Sequence, residues 1–275
     1  MFVYKKVMDI WYNNTNTVSK ENDRYLFVRR WTMESQQQGH FEQLGDGVFV
    51  FVSDEHRFGT DAFLLSDFAA PRRKDAVCDF GTGCGIIPLY LYKEYSPKHC
   101  IGVEIQPEGA RQFEKGIEAS GAGERLSALC ADLSNAPELL QKGTFDLVTC
   151  NPPYKAAGAG IKSAGDAQRI ARHEIFCTIE DVCRSAAALL RFGGRLCLCQ
   201  RPERLADVIV AMRANGVEPK RLRFVSKNPQ GRPWLVLVEG KKGSKPFLQV
   251  DPPLFLEEGG RYFGLKKELS GGQNG

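Results

Sequence analysis

The chain of 275 residues is 43% hydrophobic and 25% charged, the balance of a globular protein, which excludes fibrous and extensively disordered architectures. Its longest apolar runs, such as Leu235–Val238, fall far short of the ~20 residues a membrane helix requires. The net charge of +4 conceals an asymmetry: residues 184–245 carry 14 Lys/Arg against four acids (+10), residues 1–33 carry +3, and the remainder sums to −9, a distribution that points to a polyanionic partner such as nucleic acid.

Residues 1–10 place Lys5, Lys6 and Asp9 where a signal peptide needs an apolar core, so no leader is expected. Residues 1–32 include the aperiodic tract Asn13–Thr17 and read as a poorly ordered extension, with Met33 as a candidate functional start. A single domain is expected over 33–260, followed by a flexible tail over 261–275 that ends in glycine-rich sequence. From Gly47 the pattern is regular. Val48–Val52 reads as a strand and Thr60–Ala70 as a short helix. Strands are then expected at Ala76–Phe80, His99–Glu104, Leu126–Ala131, Phe145–Cys150 and Arg195–Cys199. Between and after them come helices at about 86–94, 107–120, 179–190 and 203–214. Two late strands, Arg221–Val225 and Trp234–Val238, flank a turn with Pro229, Gly231 and Pro233 and read as an antiparallel hairpin at the sheet edge. Apolar strands alternating with helices predict an α/β protein with a mostly parallel sheet covered on both faces.

Six of the nine cysteines (Cys78, Cys100, Cys130, Cys150, Cys197, Cys199) fall within apolar runs, which predicts buried, unpaired thiols and a soluble cytoplasmic setting. Cys197 and Cys199 form CxC without a second pair or a nearby His, so no metal site is expected.

Asp79–Phe80–Gly81–Thr82–Gly83–Cys84–Gly85 follows a strand and opens a helix, where glycine allows a ligand to lie against bare backbone. Asp79, Glu104 and Asp132 stand at or just past the carboxyl ends of three successive strands, the edge at which ligands bind such sheets. Glu104 follows Asp79 by 25 residues, a spacing at which an acid meets ribose hydroxyls. A carboxylate two residues before the first glycine repels pyrophosphate and suits a cationic ligand. S-adenosylmethionine fits, with its ribose on Glu104, its adenine near Asp132 and its amino-acid end toward Asp79.

Asn151–Pro152–Pro153–Tyr154 directly follows a strand, and its two prolines make a rigid corner. The Asn151 side-chain oxygen and the Pro152 carbonyl are two fixed acceptors for one –NH₂ group, while Tyr154 offers a face on which a planar base can stack. Holding both amino protons makes the nitrogen lone pair available for attack on a methyl sulfonium. The glycine-rich segment 155–168 is expected to close over substrate, and His173 is expected to be structural.

The set Asp79, Gly81, Gly83, Gly85, Glu104, Asp132 and Asn151–Tyr154 resembles the class I S-adenosylmethionine-dependent methyltransferases that modify exocyclic amino groups. Phe58–Ala62, Gly102–Gln106 and Arg201–Leu205 narrow the resemblance to the bacterial valine-tRNA adenine-37 N6-methyltransferase family, over about residues 40–255. The resemblance implies a Rossmann-like sheet of seven strands and places Thr60 and Asp61 in the cofactor pocket. It implies methyl transfer to adenine N6 in the tRNA anticodon stem-loop. The basic stretch, through Lys220, Arg221, Arg223, Lys227, Arg232, Lys241 and Lys242, is then expected to be exposed and to contact phosphates. A protein glutamine N5-methyltransferase, or an amino-methyltransferase of rRNA or DNA, would share the four-residue corner. An NAD-dependent oxidoreductase or a non-catalytic RNA-binding protein would leave it without a role.

Overall fold

The computed structural model describes residues 39–53, 58–152 and 177–256. The expected extension over 1–32, the tail over 261–275, Pro153, Tyr154, the segment 155–168 and His173 lie outside the described residues.

A hairpin comes first: β1 (His40–Gly45) pairs antiparallel with β2 (Val48–Val52). Asp46 and Gly47, both at positive φ (51° and 75°), make the tight turn whose twist matches paired strands. This hairpin is separate from the main sheet. The backbone of Phe49 is tied to Ser120, just past the third helix, by a 2.9 Å hydrogen bond from its N–H to the Ser120 hydroxyl. Its partner β1 was not anticipated, because its residues are polar and mostly exposed and carry no alternation.

Three helices then alternate with strands: α1 (Thr60–Ala69), β3 (Ala76–Phe80), α2 (Ile86–Tyr95), β4 (His99–Glu104), α3 (Pro107–Ala119) and β5 (Leu126–Cys130). The second half runs α4 (Ala136–Leu139), β6 (Phe145–Cys150), α5 (Ile179–Leu189), β7 (Leu190–Gln200), a 3₁₀ turn at Pro202–Arg204, α6 (Leu205–Ala214), β8 (Val217–Ser226), β9 (Leu235–Lys242) and the two-residue strands β10 (Gln249–Val250) and β11 (Leu254–Phe255). Thr178 caps α5 reciprocally with Asp181: each side chain bonds the other's backbone N–H, satisfying two otherwise orphaned donors.

The sheet order is β10-β8-β9-β7-β6-β3-β4-β5, with β11 also on β8. Strands β5, β4, β3, β6 and β7 are parallel, and β9 inserts antiparallel between β7 and β8. The expected mostly parallel sheet is therefore present, but it has nine strands rather than seven. The hairpin's outer strand is not the sheet edge, because β10 and β11 add to β8 in parallel. The order reverses between β3 and β6, the topological switch point at which such sheets bind ligands.

The core lies in two layers. Alternate strand residues such as Val77, Leu147, Cys197 and Leu237 join α1, α2 and α3 on one face. Cys78, Phe80, Val148, Leu198 and Val238 join α4, α5 and α6 on the other. Both-sided burial explains why these strands read as unbroken apolar runs. All nine cysteines are unpaired, and seven are buried. Cys130 departs from expectation: it ends β5 and is exposed, because β5 is the last strand on its side of the sheet.

Candidate active site

Strand register gathers the predicted residues. Phe80 pairs with Val103 on one side and Cys150 on the other, so Gly81, Glu104 and Asn151 stand level at the carboxyl edge of three adjacent strands. Asp79 lies two residues below Gly81 and is level with Thr149. Because in-register neighbours in a parallel sheet point to the same face, Asp79, Glu104 and Asn151 present their side chains on the face covered by α1, α2 and α3.

Asp79 is wholly buried. Burial pushes its carboxyl up to about 7, helped by the nearby Glu104 charge; the Thr149 hydroxyl, donating to Oδ1 at 2.6 Å, pulls the other way. The Thr82 hydroxyl also favours the carboxylate but makes no hydrogen bond to it. Asp79 Oδ2 and Thr82 Oγ1 are thus buried polar atoms with no partner among the described residues. Glu104 is also buried and clamps the loop: Oε2 accepts from the Gly83 N–H and Oε1 from the Gln106 N–H, both at 2.8 Å.

The loop glycines divide into two roles. Gly81 and Gly83 hold φ of +67° and +55°, and a Cβ on either would meet open space. Gly85, at φ +80°, is different: a Cβ there would stand 1.9 Å from the Phe113 ring. Phe113 of α3 is fully buried and wedges beneath the loop between Gly85 and Gly102. Gly85 therefore seats the loop on the core, while Gly81 and Gly83 line the space where a ligand fits. Bare backbone beside an unpartnered buried carboxylate oxygen fits the amino-acid end of a cationic cofactor.

Asp132 is half-buried and shapes its own turn, its Oδ1 accepting from the Ser134 N–H at 2.8 Å. Thr60 and Asp61 begin α1, whose far end is tied to the body of the sheet: the Phe68 and Ala69 carbonyls accept from Arg221 and Arg195. The first turn thus lies toward the carboxyl edge. Asn151 and Pro152 are half-buried at that edge. Sequence reasoning missed the neighbour of Asn151 on β7: the buried Cys199, whose thiol donates to Asn151 Oδ1 at 3.0 Å.

The basic residues do not form the single exposed surface expected of them. Of the seven, only Lys227, Arg232 and Lys241 are exposed. Arg221 bonds Glu239 and the Phe68 carbonyl and stacks on the Phe68 ring, Arg223 donates to the Pro252 carbonyl, Lys242 to Leu190 and Lys220 to Lys245. They also lie at two opposite edges. Lys227 and Arg232 occupy the β8–β9 turn at the carboxyl edge, beside Arg201, which follows β7. Lys241 pairs with Arg195, five residues below Gln200, or about 16 Å toward the other edge. Among the described residues no group of three or more His, Cys, Asp or Glu could hold a metal ion, and no helix is long and apolar enough to cross a membrane.

This fold and site define a class. Residues 45–210 match the model of the methyltransferase small domain, and the chain belongs to that family. The fold agrees: a predicted O-methyltransferase, Atu636 from Agrobacterium tumefaciens, superposes with a TM-score of 0.59 at 23% identity, over 76% of this chain and 94% of that one. M. jannaschii TYW2, solved in complex with AdoMet, gives a TM-score of 0.50 at 12% identity, over 76% and 88%.

Curated relatives narrow the class. The tRNA1(Val) (adenine(37)-N6)-methyltransferase of Aeromonas hydrophila subsp. hydrophila is 31% identical over 223 residues, covering 73% of this chain and 91% of the relative. The enzyme of the same name from Porphyromonas gingivalis (strain ATCC 33277) is 30% identical over 190 residues, covering 66% and 73%. The chain is a member of the tRNA1(Val) (adenine(37)-N6)-methyltransferase family.

Proposed function

We propose that this chain transfers a methyl group from S-adenosylmethionine to N6 of adenine 37 in the anticodon loop of a valine tRNA. The observation that carries the reading is the level row of Glu104, Gly81 and Asn151 at the switch point, with the unpartnered Asp79 oxygen beneath it. Gly81, Gly83, Asp79, Glu104 and Asp132 would hold the cofactor, with Thr60 and Asp61 at its margin. When bound, it supplies an electrophilic methyl group on a cationic sulfur, and two acids on one face suit that charge.

Asn151 Oδ1 and the Pro152 carbonyl accept the two protons of the target amino group. Adenine N6 is a weak nucleophile because its lone pair is delocalised into the ring. Two fixed acceptors favour the pyramidal nitrogen that develops during attack, which is stabilisation of the transition state rather than of bound substrate. Once methylated, the nitrogen sheds its extra proton to water. Tyr154, two residues past Pro152, supplies a stacking face for the base. A loop base is largely unstacked already, so turning it out costs at most a few kcal/mol.

Phosphate contacts supply much of the affinity, and Arg201, Lys227 and Arg232 are among the bases at the catalytic edge. A tRNA substrate sets the work in the cytoplasm. The test is incubation with labelled S-adenosylmethionine and unmodified bulk tRNA, digestion to nucleosides and identification by mass. Label in N6-methyladenosine, mapped to position 37, is the expected result; unlabelled RNA from protein that binds the cofactor would overturn the substrate.

A further inference from the structure

We propose that Cys199 is a positioning residue that orients the Asn151 side chain for the target amino group; the inference rests on the reading of Asn151 given above. The pairing of Cys150 with Leu198 sets Cys199 level with Asn151 and on the same face of the sheet. Cys199 is fully buried, and its thiol donates to Asn151 Oδ1 at 3.0 Å.

An asparagine amide needs such a partner. Its terminal torsion is broad and roughly two-fold, and its oxygen and nitrogen ends are nearly the same size, so packing alone does not decide which end faces the substrate. A donor beneath one end does decide. The oxygen has two lone pairs, so accepting the thiol proton is compatible with accepting from the amino group. The donor is anchored in a central strand, so the amide is oriented before substrate arrives, and its reorientation does not add to the barrier. Of the other buried strand thiols, Cys78, Cys100 and Cys150 have no such partner among the described residues and pack as small apolar groups, and Cys197 donates to Glu239 Oε2 at 3.6 Å rather than to a residue of the proposed site. Cys199 differs in what its thiol touches.

The experiment compares Cys199→Ser, which keeps a donor, with Cys199→Val, which fills the space without one, and with Cys199→Ala. For each, kcat and KM for tRNA, cofactor affinity and melting temperature are measured. Loss of kcat by about tenfold is expected in the Val and Ala variants, with KM and cofactor affinity within about twofold of the original, and the Ser variant should recover most of kcat. In a crystal structure of the Val variant the Asn151 amide should occupy more than one orientation. Unchanged kcat in the Val and Ala variants, a Ser variant as impaired as Val, or a kcat that follows melting temperature rather than the presence of a donor would each overturn the proposal. Failure of the parent protein to make N6-methyladenosine would instead bring down the reading of the whole site, and this inference with it.

Discussion

Asp79 is held at a price in stability. Its carboxyl titrates near 7 in the folded chain against 3.8 in the open, so the native state retains a proton that the unfolded state releases. Stability attributable to this group is therefore greatest below pH 4 and declines as pH rises to 7, by about 4 kcal/mol in all. Urea unfolding at pH 5 and pH 8 should show the natural protein losing roughly 3 kcal/mol relative to Asp79→Asn, whose amide does not titrate. A cationic ligand reverses the preference and favours the carboxylate. Affinity for S-adenosylmethionine should accordingly rise as pH increases through 7, and the dependence should vanish in Asp79→Asn; calorimetric titration at pH 6, 7 and 8 measures it. The acids were legible in the sequence because each sits at the end of an apolar strand, where a charge has little structural reason to be. Cys199 was not legible, since its meaning depends on which residue of a strand 48 positions earlier lies opposite it.

At the scale of elements, the loop between β3 and α2 separates binding from folding. Gly83→Ala puts a methyl group into open space at a positive φ, which costs about 1 kcal/mol of strain. It should weaken cofactor binding tenfold or more with only a small fall in melting temperature. Gly85→Ala drives its methyl group into Phe113 and should cost several kcal/mol, lowering melting temperature before binding can be assayed. Scanning calorimetry beside cofactor titration distinguishes the two. A second element-level joint is Glu239 on β9, whose Oε2 accepts from both Arg195 (2.9 Å) and Arg221 (3.0 Å). Glu239→Ala leaves two half-buried guanidinium groups facing each other and should destabilise the sheet by about 3 kcal/mol in urea unfolding. The alternating elements from β3 to α6, apart from the four-residue α4, could be read directly, because strands covered on both faces are apolar throughout. The hairpin partner β1 and the short β10 and β11 could not: they are exposed or two residues long, and their pairing is set by packing rather than by pattern.

For the whole molecule, the direction of β8 and β9 divides the basic segment. Composition locates the charge in residues 184–245, but only strand direction tells which bases share an edge with Asn151. Arg232→Ala should reduce the slope of log affinity against log salt for tRNA by about one unit, whereas Lys241→Ala should leave it unchanged. Filter binding from 50 to 300 mM salt measures both, and equal effects would mean that the RNA reaches around to the far edge. The family resemblance was carried by short segments around the pocket, and those segments say nothing about this partition.

The insertion of β9 between β7 and β8 also bears on synthesis. The strand that supports the catalytic row, β7, has β6 on one side and β9 on the other, and β9 is among the last strands made. Until residue 242 has left the ribosome, β7 presents a bare hydrogen-bonding edge alongside buried residues such as Leu196 and Leu198. A chain that stops before Leu235 carries every residue of the proposed pocket and still lacks the strand that pairs with β7. Such a fragment should aggregate rather than bind, so the ability to recognise cofactor is gained only when the last tenth or so of the sheet's own sequence arrives.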